Sequence, residues 1–144
     1  MNAIDTDVLL YRFDQYEAVK QGQAKRLIRR LAKADVPTVL PWQVVAEFAQ
    51  QLRRWQFEKR INPAAVKRYL NAVRSIFPIL MPKPEVLDRA VDLTDLAGLS
   101  HWDAMIVAAC IEAGITTLYT EDMGAPRQIE ALQLVNPFQQ SSSA

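Results

Sequence analysis

Apolar residues along this chain follow two periods, and the alternation between them outlines the fold. Short apolar runs bounded by turn residues read as buried strands. Longer stretches with an apolar residue every three or four positions read as amphipathic helices. Residues 2–10 read as extended: Ala3-Ile4 leads to Asp5, and the apolar Val8-Leu9-Leu10-Tyr11 follows. From Gly22 to Ala34 the period is helical, with Ala24, Leu27, Ile28 and Leu31 on one face. Lys25, Arg26, Arg29, Arg30 and Lys33 lie largely opposite. Val36 to Leu40 reads as a second strand, and Pro41 suits the first turn of the helix that follows. In that helix Val44, Val45, Phe48, Leu52 and Trp55 form one stripe.

Asn62-Pro63 has the form of a cap and first turn, opening a helix to about Ser75 with Val66, Tyr69, Leu70 and Val73 inward. Phe77 to Met81 reads as a third strand, placed at a sheet edge by its proline. Pro84 to Ala97 is predicted helical, burying Val86, Leu87, Ala90, Val91 and Leu93. Ser100 to Ala113 is predicted helical and ends at Gly114. Ile115 to Thr120 and Leu132 to Val135 complete about five strands. Strands alternating with helices predict an α/β fold with a doubly wound, mostly parallel sheet. Residues 1–138 form one expected domain, and Gln139 to Ala144 reads as a disordered tail.

Composition narrows the class without naming a function. Half of the 144 residues are hydrophobic and 23% are charged, which suits a globular domain with a full core. The longest apolar run, Ala104 to Ile111, is too short to span a bilayer. Cys110 is the only cysteine, so no internal disulfide forms, and its helical spacing places it in the core. Together with an acidic N-terminus unlike a signal peptide, these features predict a cytoplasmic protein. The net charge of +1 conceals an uneven distribution. Residues 20–74 carry 13 of the 17 basic residues with only Asp35, Glu47 and Glu58 as acids, a balance of +10, and the rest carries −9. Such a division suits a polyanion held over an acidic site, and it also suits plain solvated helix faces.

Four acids stand where elements begin or end: Asp5, Glu47, Asp103 and Asp122. Asp5 and Asp122 follow strands, and in parallel α/β sheets ligands bind beyond the carboxyl ends of strands. Glu47 flanks its helix with Gln43, Val44, Gln50 and Gln51 at neighbouring turns, so no local ion pair accounts for it. Each acid also has a structural reading. Asp103 completes a capping-box pattern with Ser100, and the two aspartates after strands suit turns. If they converge, like charges raise their pKa values unless a cation neutralises them, and hard ions such as Mg2+ or Mn2+ take all-oxygen sites. His101, the sole histidine, has no evident partner. No zinc-type cluster, Gly-rich phosphate loop or nucleophile elbow is present.

Four segments in order carry a family resemblance: Asp5-Thr6-Asp7-Val8-Leu9-Leu10-Tyr11, Val44-Val45-Ala46-Glu47-Phe48, Trp102 to Ala109, and Leu118-Tyr119-Thr120-Glu121-Asp122. Together they resemble the PIN-domain family, in particular VapC-type ribonuclease toxins, from Ile4 to about Phe138. The resemblance implies a three-layer α/β/α sandwich and an endoribonuclease using Mg2+ or Mn2+. It implies Asp5, Glu47, Asp103 and Asp122 as catalytic and metal-binding acids. Asp5 and Asp103 would ligate directly, and Glu47 and Asp122 directly or through water. Thr6, Thr120, Asp7 and Glu121 would support them. It also implies an RNA substrate, a homodimer and an antitoxin partner that blocks the site. The chain departs from the family at Asp7, where asparagine is commoner, and after Asp122, where Met123-Gly124-Ala125-Pro126 lacks a further acid. Glu121 therefore competes with Asp122 for the fourth position.

Arg53, Arg54, Lys59 and Arg60, interleaved with Trp55 and Phe57, are candidate RNA contacts. Trp55 also belongs to the core stripe, and the same surface suits a dimer contact. Two other readings remain at this point. Asp5-Thr6-Asp7-Val8-Leu9 also resembles the nucleophile motif of haloacid-dehalogenase-type phosphatases, with Glu121 and Asp122 as late acids, though that leaves Glu47 and Asp103 idle. A PIN relative that binds RNA or protein without cleaving is the other.

Overall fold

Six strands form one sheet, and the five expected from the sequence are short, apolar runs. In the computed structural model, which describes residues 1–139, the strand order is β3-β2-β1-β4-β6-β5. The strands are β1 (Asn2–Ile4), β2 (Thr38–Pro41), β3 (Ile79–Leu80), β4 (Thr117–Tyr119), β5 (Arg127–Ile129) and β6 (Leu132–Val135). All neighbours run parallel except β5 and β6. The tail expected to be disordered lies, after Gln139, outside the described residues.

Helices α1 (Thr6–Tyr11), α2 (Ala18–Lys33), α3 (Trp42–Phe57) and α4 (Pro63–Ile76) connect β1 to β2 to β3. Helices α5 (Glu85–Ala97) and α6 (His101–Glu112) return the chain from β3 at the edge to β4 beside β1. The strand order therefore reverses direction at β1. Right-handed crossovers then put α1–α4 on one face and α5–α6 on the other. The packing follows this division, since α1 contacts α2 and α3, α3 contacts α4, and α5 contacts α6. The expected mostly parallel sheet flanked by helices is the observed architecture.

The helical stripes behave as their periods require. Val44, Val45, Phe48, Leu52 and Trp55 are all buried on α3, and Ala24, Leu27, Ile28 and Leu31 on α2. Asn62 caps α4 by accepting from the Ala65 amide at 2.8 Å. At the end of α6, Ile115 N–H bonds to the Cys110 carbonyl and Gly114 N–H to that of Ile111. That reversal needs a left-handed residue, which Gly114 supplies at φ 72°. Among the described residues, no helix is long and apolar enough to cross a membrane.

Three expectations are corrected. The stretch after Asp5 is helix, not strand: Asp5 accepts from Thr6 N–H as the N-cap of α1. Leu87 and Val91 on α5 are exposed rather than buried, because Val86, Ala90 and Leu93 fill the inward side of a helix that packs mainly on α6. The sheet has six strands, the sixth being β5, a polar three-residue edge strand paired antiparallel with β6. Its tight connection places Glu130 at φ 52° where hairpin turns usually carry glycine or asparagine, so no turn signature marks it.

Phe48 is fully buried on α3, its ring 6.0 Å from that of Phe13. Phe48→Ala should cost about 3–5 kcal/mol in a urea unfolding titration. A loss below about 1 kcal/mol would show that α3 is not anchored through this ring.

Candidate active site

The site forms where the strand order reverses. Asp5 ends β1, and its amide donates to the Tyr119 carbonyl on β4 at 2.9 Å. One step further, the Thr120 hydroxyl donates to Asp5 Oδ2 at 2.7 Å and accepts from the Asp122 amide at 3.0 Å. Thr120 is completely buried, so this hydroxyl fixes two acids at once without solvent competition. Asp5 Oδ1 accepts from Thr6 N–H at 2.7 Å. Each Asp5 oxygen thus uses one lone pair and keeps another.

Asp7 lies in the first turn of α1, where Oδ2 accepts from the Glu121 amide at 3.0 Å and Oδ1 from the Val8 amide at 2.7 Å. One oxygen each of Asp5, Asp7 and Asp122 falls within 4.8 Å of the others. Glu47 is reached from both sides. The Thr6 hydroxyl donates to Oε2 at 3.1 Å, and Gln43, one turn earlier on α3, donates to Oε1 at 3.1 Å and to the Trp102 carbonyl at 3.0 Å. Gln43 therefore ties α3 to the start of α6. Asp103 sits in the first turn of α6, where Ser100 caps its amide at 3.2 Å.

Electrostatics show how crowded this corner is. Burial raises the Asp5 carboxyl from 3.8 to about 6; the charges of Asp103 and Glu47 add to it, and the Thr120 and Thr6 hydrogen bonds oppose it. Burial also raises Asp7 to about 9, with Asp5 and Asp122 as the repelling charges. Asp103 is pushed up by burial and by Asp122 and Glu47, partly offset by Ser100. Among the described residues, none of Asp5, Asp7, Glu47, Asp103 or Asp122 has a basic partner within ion-pair distance. A tight carboxylate trio with the charges of Glu47 and Asp103 beside it is a donor set that fits a hard divalent metal ion.

The expected acids are not brought together in the expected way. The tight trio is Asp5, Asp7 and Asp122, with Glu47 and Asp103 flanking it. Asp7, expected only to support, has its carboxyl raised further than that of Asp5. Glu121 faces away. Its Oε2 meets Lys20 Nζ at 2.5 Å and its Oε1 accepts from the Tyr11 hydroxyl at 2.7 Å. Burial would raise Glu121, but Lys20 and Tyr11 outweigh it and hold the carboxyl below its usual range. Pinned this way, Glu121 directs Asp122 toward Asp5. Tyr11, Lys20 and Gln43 were not candidates from the sequence, and only Gln43 left a trace there, four residues before Glu47.

Three of the four candidate RNA contacts at the end of α3 have partners within the chain. Arg53 bonds to Gln56 and Arg54 pairs with Glu58 at 3.6 Å. Arg60 pairs with Asp14 at 2.9 Å and lies over the rings of Trp55 and Tyr16. Lys59 occupies the turn after α3 at φ 60°. Arg54 stands roughly 10 Å of helix beyond Glu47. His101 packs edge-on against Trp102, and Cys110 is a buried core thiol.

A parallel α/β domain with a carboxylate centre at its reversal point is the class these features define. The PIN domain family model matches residues 3–129, and the chain belongs to that family. None of the curated proteins matches it. Solved structures do. A toxin–antitoxin complex from Klebsiella pneumoniae has a chain 18% identical, with TM-score 0.68 over 97% of this chain and 100% of that one. VapC20 of Mycobacterium tuberculosis, described as a sarcin-ricin loop cleaving toxin, is 19% identical, with TM-score 0.67 over 92% and 99%. VapBC2 of Rickettsia felis, bound to a promoter DNA fragment, has a chain 15% identical, with TM-score 0.66 over 92% and 96%.

The raised carboxyls set a pH dependence. Without metal, the folded chain keeps on Asp7 a proton that the unfolded chain releases near pH 3.8, until about pH 9. The folded state binds more protons across that window, so this group's stabilisation declines as pH rises through it. In EDTA, the melting temperature should fall between pH 5 and pH 8.5 by more in wild type than in Asp7→Asn. Mn2+ should raise it more at pH 8.5 than at pH 5. Equal Mn2+ shifts at both pH values would contradict a cation site at these acids.

Proposed function

We propose that this chain is a metal-dependent endoribonuclease that hydrolyses RNA phosphodiester bonds and acts as the toxin of a toxin–antitoxin pair. The observation that carries the reading is the set of five carboxylates converging, without a basic partner, at the strand ends of a PIN domain. Asp5, Asp7 and Asp122 would hold Mg2+ or Mn2+, and Glu47 and Asp103 would orient its waters. Asp103 belongs to the catalytic set with Asp5, Glu47 and Asp122. A bound ion of this kind lowers the pKa of a coordinated water and offsets charge on the phosphate oxygens.

The chain's own residues prepare the geometry. Thr120 holds Asp5 and the Asp122 backbone together, Thr6 and Gln43 hold both Glu47 oxygens, and the Glu121 amide orients Asp7. With the acids held before substrate arrives, little reorganisation is left for the reaction itself. This arrangement gives Glu47 and Asp103 positions beside Asp5, which the phosphatase reading leaves without a role. The toxin assignment is supported by the toxin–antitoxin complexes among the similar structures. By the same analogy a cognate antitoxin would block the acids, and the cytoplasm would be the compartment.

A homodimer is the further expectation, and one face supports it. Trp42, Met81 and Trp102 are 48%, 62% and 61% exposed. They line two adjoining clefts of about 340 and 300 Å3 that share Pro82, Val86 and Ala109. Such a patch suits a second copy better than water.

Asp5→Asn and Asp103→Asn should each lower Mn2+-dependent cleavage of a structured RNA by about a hundredfold or more while circular dichroism stays unchanged. Full activity in both variants would end the assignment. Trp102→Glu should convert dimers to monomers in light scattering, and an unchanged mass would place the dimer contact elsewhere.

A further inference from the structure

The acids at the strand ends repel the phosphates they are proposed to cleave, so a polyanion must be held by cations elsewhere. The cations of α2 meet that need. A cleft of about 440 Å3 lies between α2 and the end of α4, lined by Arg12, Lys25 and Arg29 over Ile28, Ala32 and Ile76. No carboxylate lines it. Among the described residues, the ion pairs use Lys20, Arg54, Arg60 and Arg89, and none uses Arg12, Lys25, Arg29 or their neighbours Arg26, Arg30 and Lys33. Lys25 and Arg29, and Arg29 and Lys33, stand four residues apart, where like charges weaken a helix. These like-charge pairs are unfavourable in the free helix, and an anionic ligand would relieve them.

Placement connects the cleft to the acids. Helix α1 runs from the residue after Asp5 to the residue before Arg12, a length of about 9 Å. Gln21 on α2 donates to the Arg12 carbonyl at 3.1 Å, fixing Arg12 beside that helix. The first turns of α2 are anchored to the site through Lys20 and Glu121. From there α2 runs away from the acids, carrying Lys25 and Arg29 at a rise of about 6 Å, near the separation of neighbouring phosphates along a strand.

We propose that Arg12, Lys25 and Arg29 form a track for the phosphate backbone of single-stranded RNA leading to the acidic centre. This rests on the ribonuclease reading. Two guanidinium forks and an ammonium suit phosphate oxygens. The floor has only Ile28, Ala32 and Ile76, so it offers sugars a shallow apolar surface and gives bases nothing specific to read. The track therefore supplies affinity without sequence preference.

The test is binding of a fluorescein-labelled, mixed-sequence oligoribonucleotide by anisotropy in EDTA, across a KCl series, alongside Mn2+-dependent cleavage. The triple variant Arg12→Gln/Lys25→Gln/Arg29→Gln should bind at least tenfold more weakly. Its log K against log salt slope should shrink by about 2, the value for three phosphates on a single strand. Arg53→Gln/Arg54→Gln should bind like wild type. Each single Gln variant should remove about a third of the slope change, which keeps the proposal testable should the triple variant unfold. Unchanged affinity and slope in variants that fold overturn the track while wild-type cleavage still stands. Retained RNA affinity with lost binding of a polyglutamate peptide would assign the surface to an acidic protein segment and likewise overturn it. No RNA binding and no cleavage by wild type would overturn the ribonuclease reading and the track together.

Discussion

The contact on which the site depends joins residues 115 positions apart: the Thr120 hydroxyl donating to Asp5 Oδ2. It exists only because β1 and β4 pair in parallel with Ile4 opposite Tyr119, which aligns the residues just beyond each strand. Burying Asp5 to 5% exposure beside like charges is unfavourable, and the surrounding core must offset it. That core is continuous beneath the site: Ala3, Ile4, Val8, Leu118 and Leu134 are fully buried around the strands that end there. The carboxylate crowding is tolerable because a rigid sheet leaves the acids nowhere to move. It is also what makes the site a candidate for a cation.

What the amino-acid pattern revealed follows from which signals are local. Periodicity located α3 and the residues it buries, because a 3.6-residue stripe needs no knowledge of the partner surface. Ser100, Asn62 and Gly114 marked helix ends for the same reason. Capping satisfies backbone groups within a few residues. One error is local, and the other two lie where the outcome depends on distant chain. Val8-Leu9-Leu10 is apolar enough for either strand or helix, and the Asp5 cap decided for helix. Leu87 and Val91 carry the right residue type for a core, yet α5 meets its surroundings through Val86, Ala90 and Leu93. Strand β5 is a polar edge segment whose pairing with β6 gives it its conformation.

The acids divide in the same manner. Asp5, Glu47, Asp103 and Asp122 were visible as carboxylates at the ends of elements without local partners. The arrangement among them was not visible. Asp7 enters the tight trio because the Glu121 amide, from the far end of the chain, draws its carboxylate inward. Whether Glu121 or Asp122 faces the trio is decided by Lys20, which lies 101 residues before Glu121 and has no sequence relation to it. Glu47 lacked a local ion pair, as the sequence indicated. Its hydrogen bond from Gln43 within the helix, and from Thr6 across to α1, supplies orientation without neutralising charge.

This difference between orientation and neutralisation runs through the whole molecule. Hydroxyls, amides and a carboxamide hold the acids, and none of them cancels a charge. Where cancellation does occur, as at Lys20 with Glu121, the acid is removed from the centre and becomes a brace. A site built in this manner keeps a concentrated negative field and remains well ordered. The basic residues, segregated into residues 20–74, follow the complementary rule. Near α3's end Arg54 and Arg60 are paired, with Glu58 and Asp14, and along α2 beyond Lys20 no basic residue enters an ion pair among the described residues. The sequence showed the segregation but not which half was free, because that depends on tertiary partners. An acidic centre beside an uncommitted basic flank is an incomplete electrostatic system. Under the ribonuclease reading the two halves would be completed by different ligands, a small hard cation and a long polyanion.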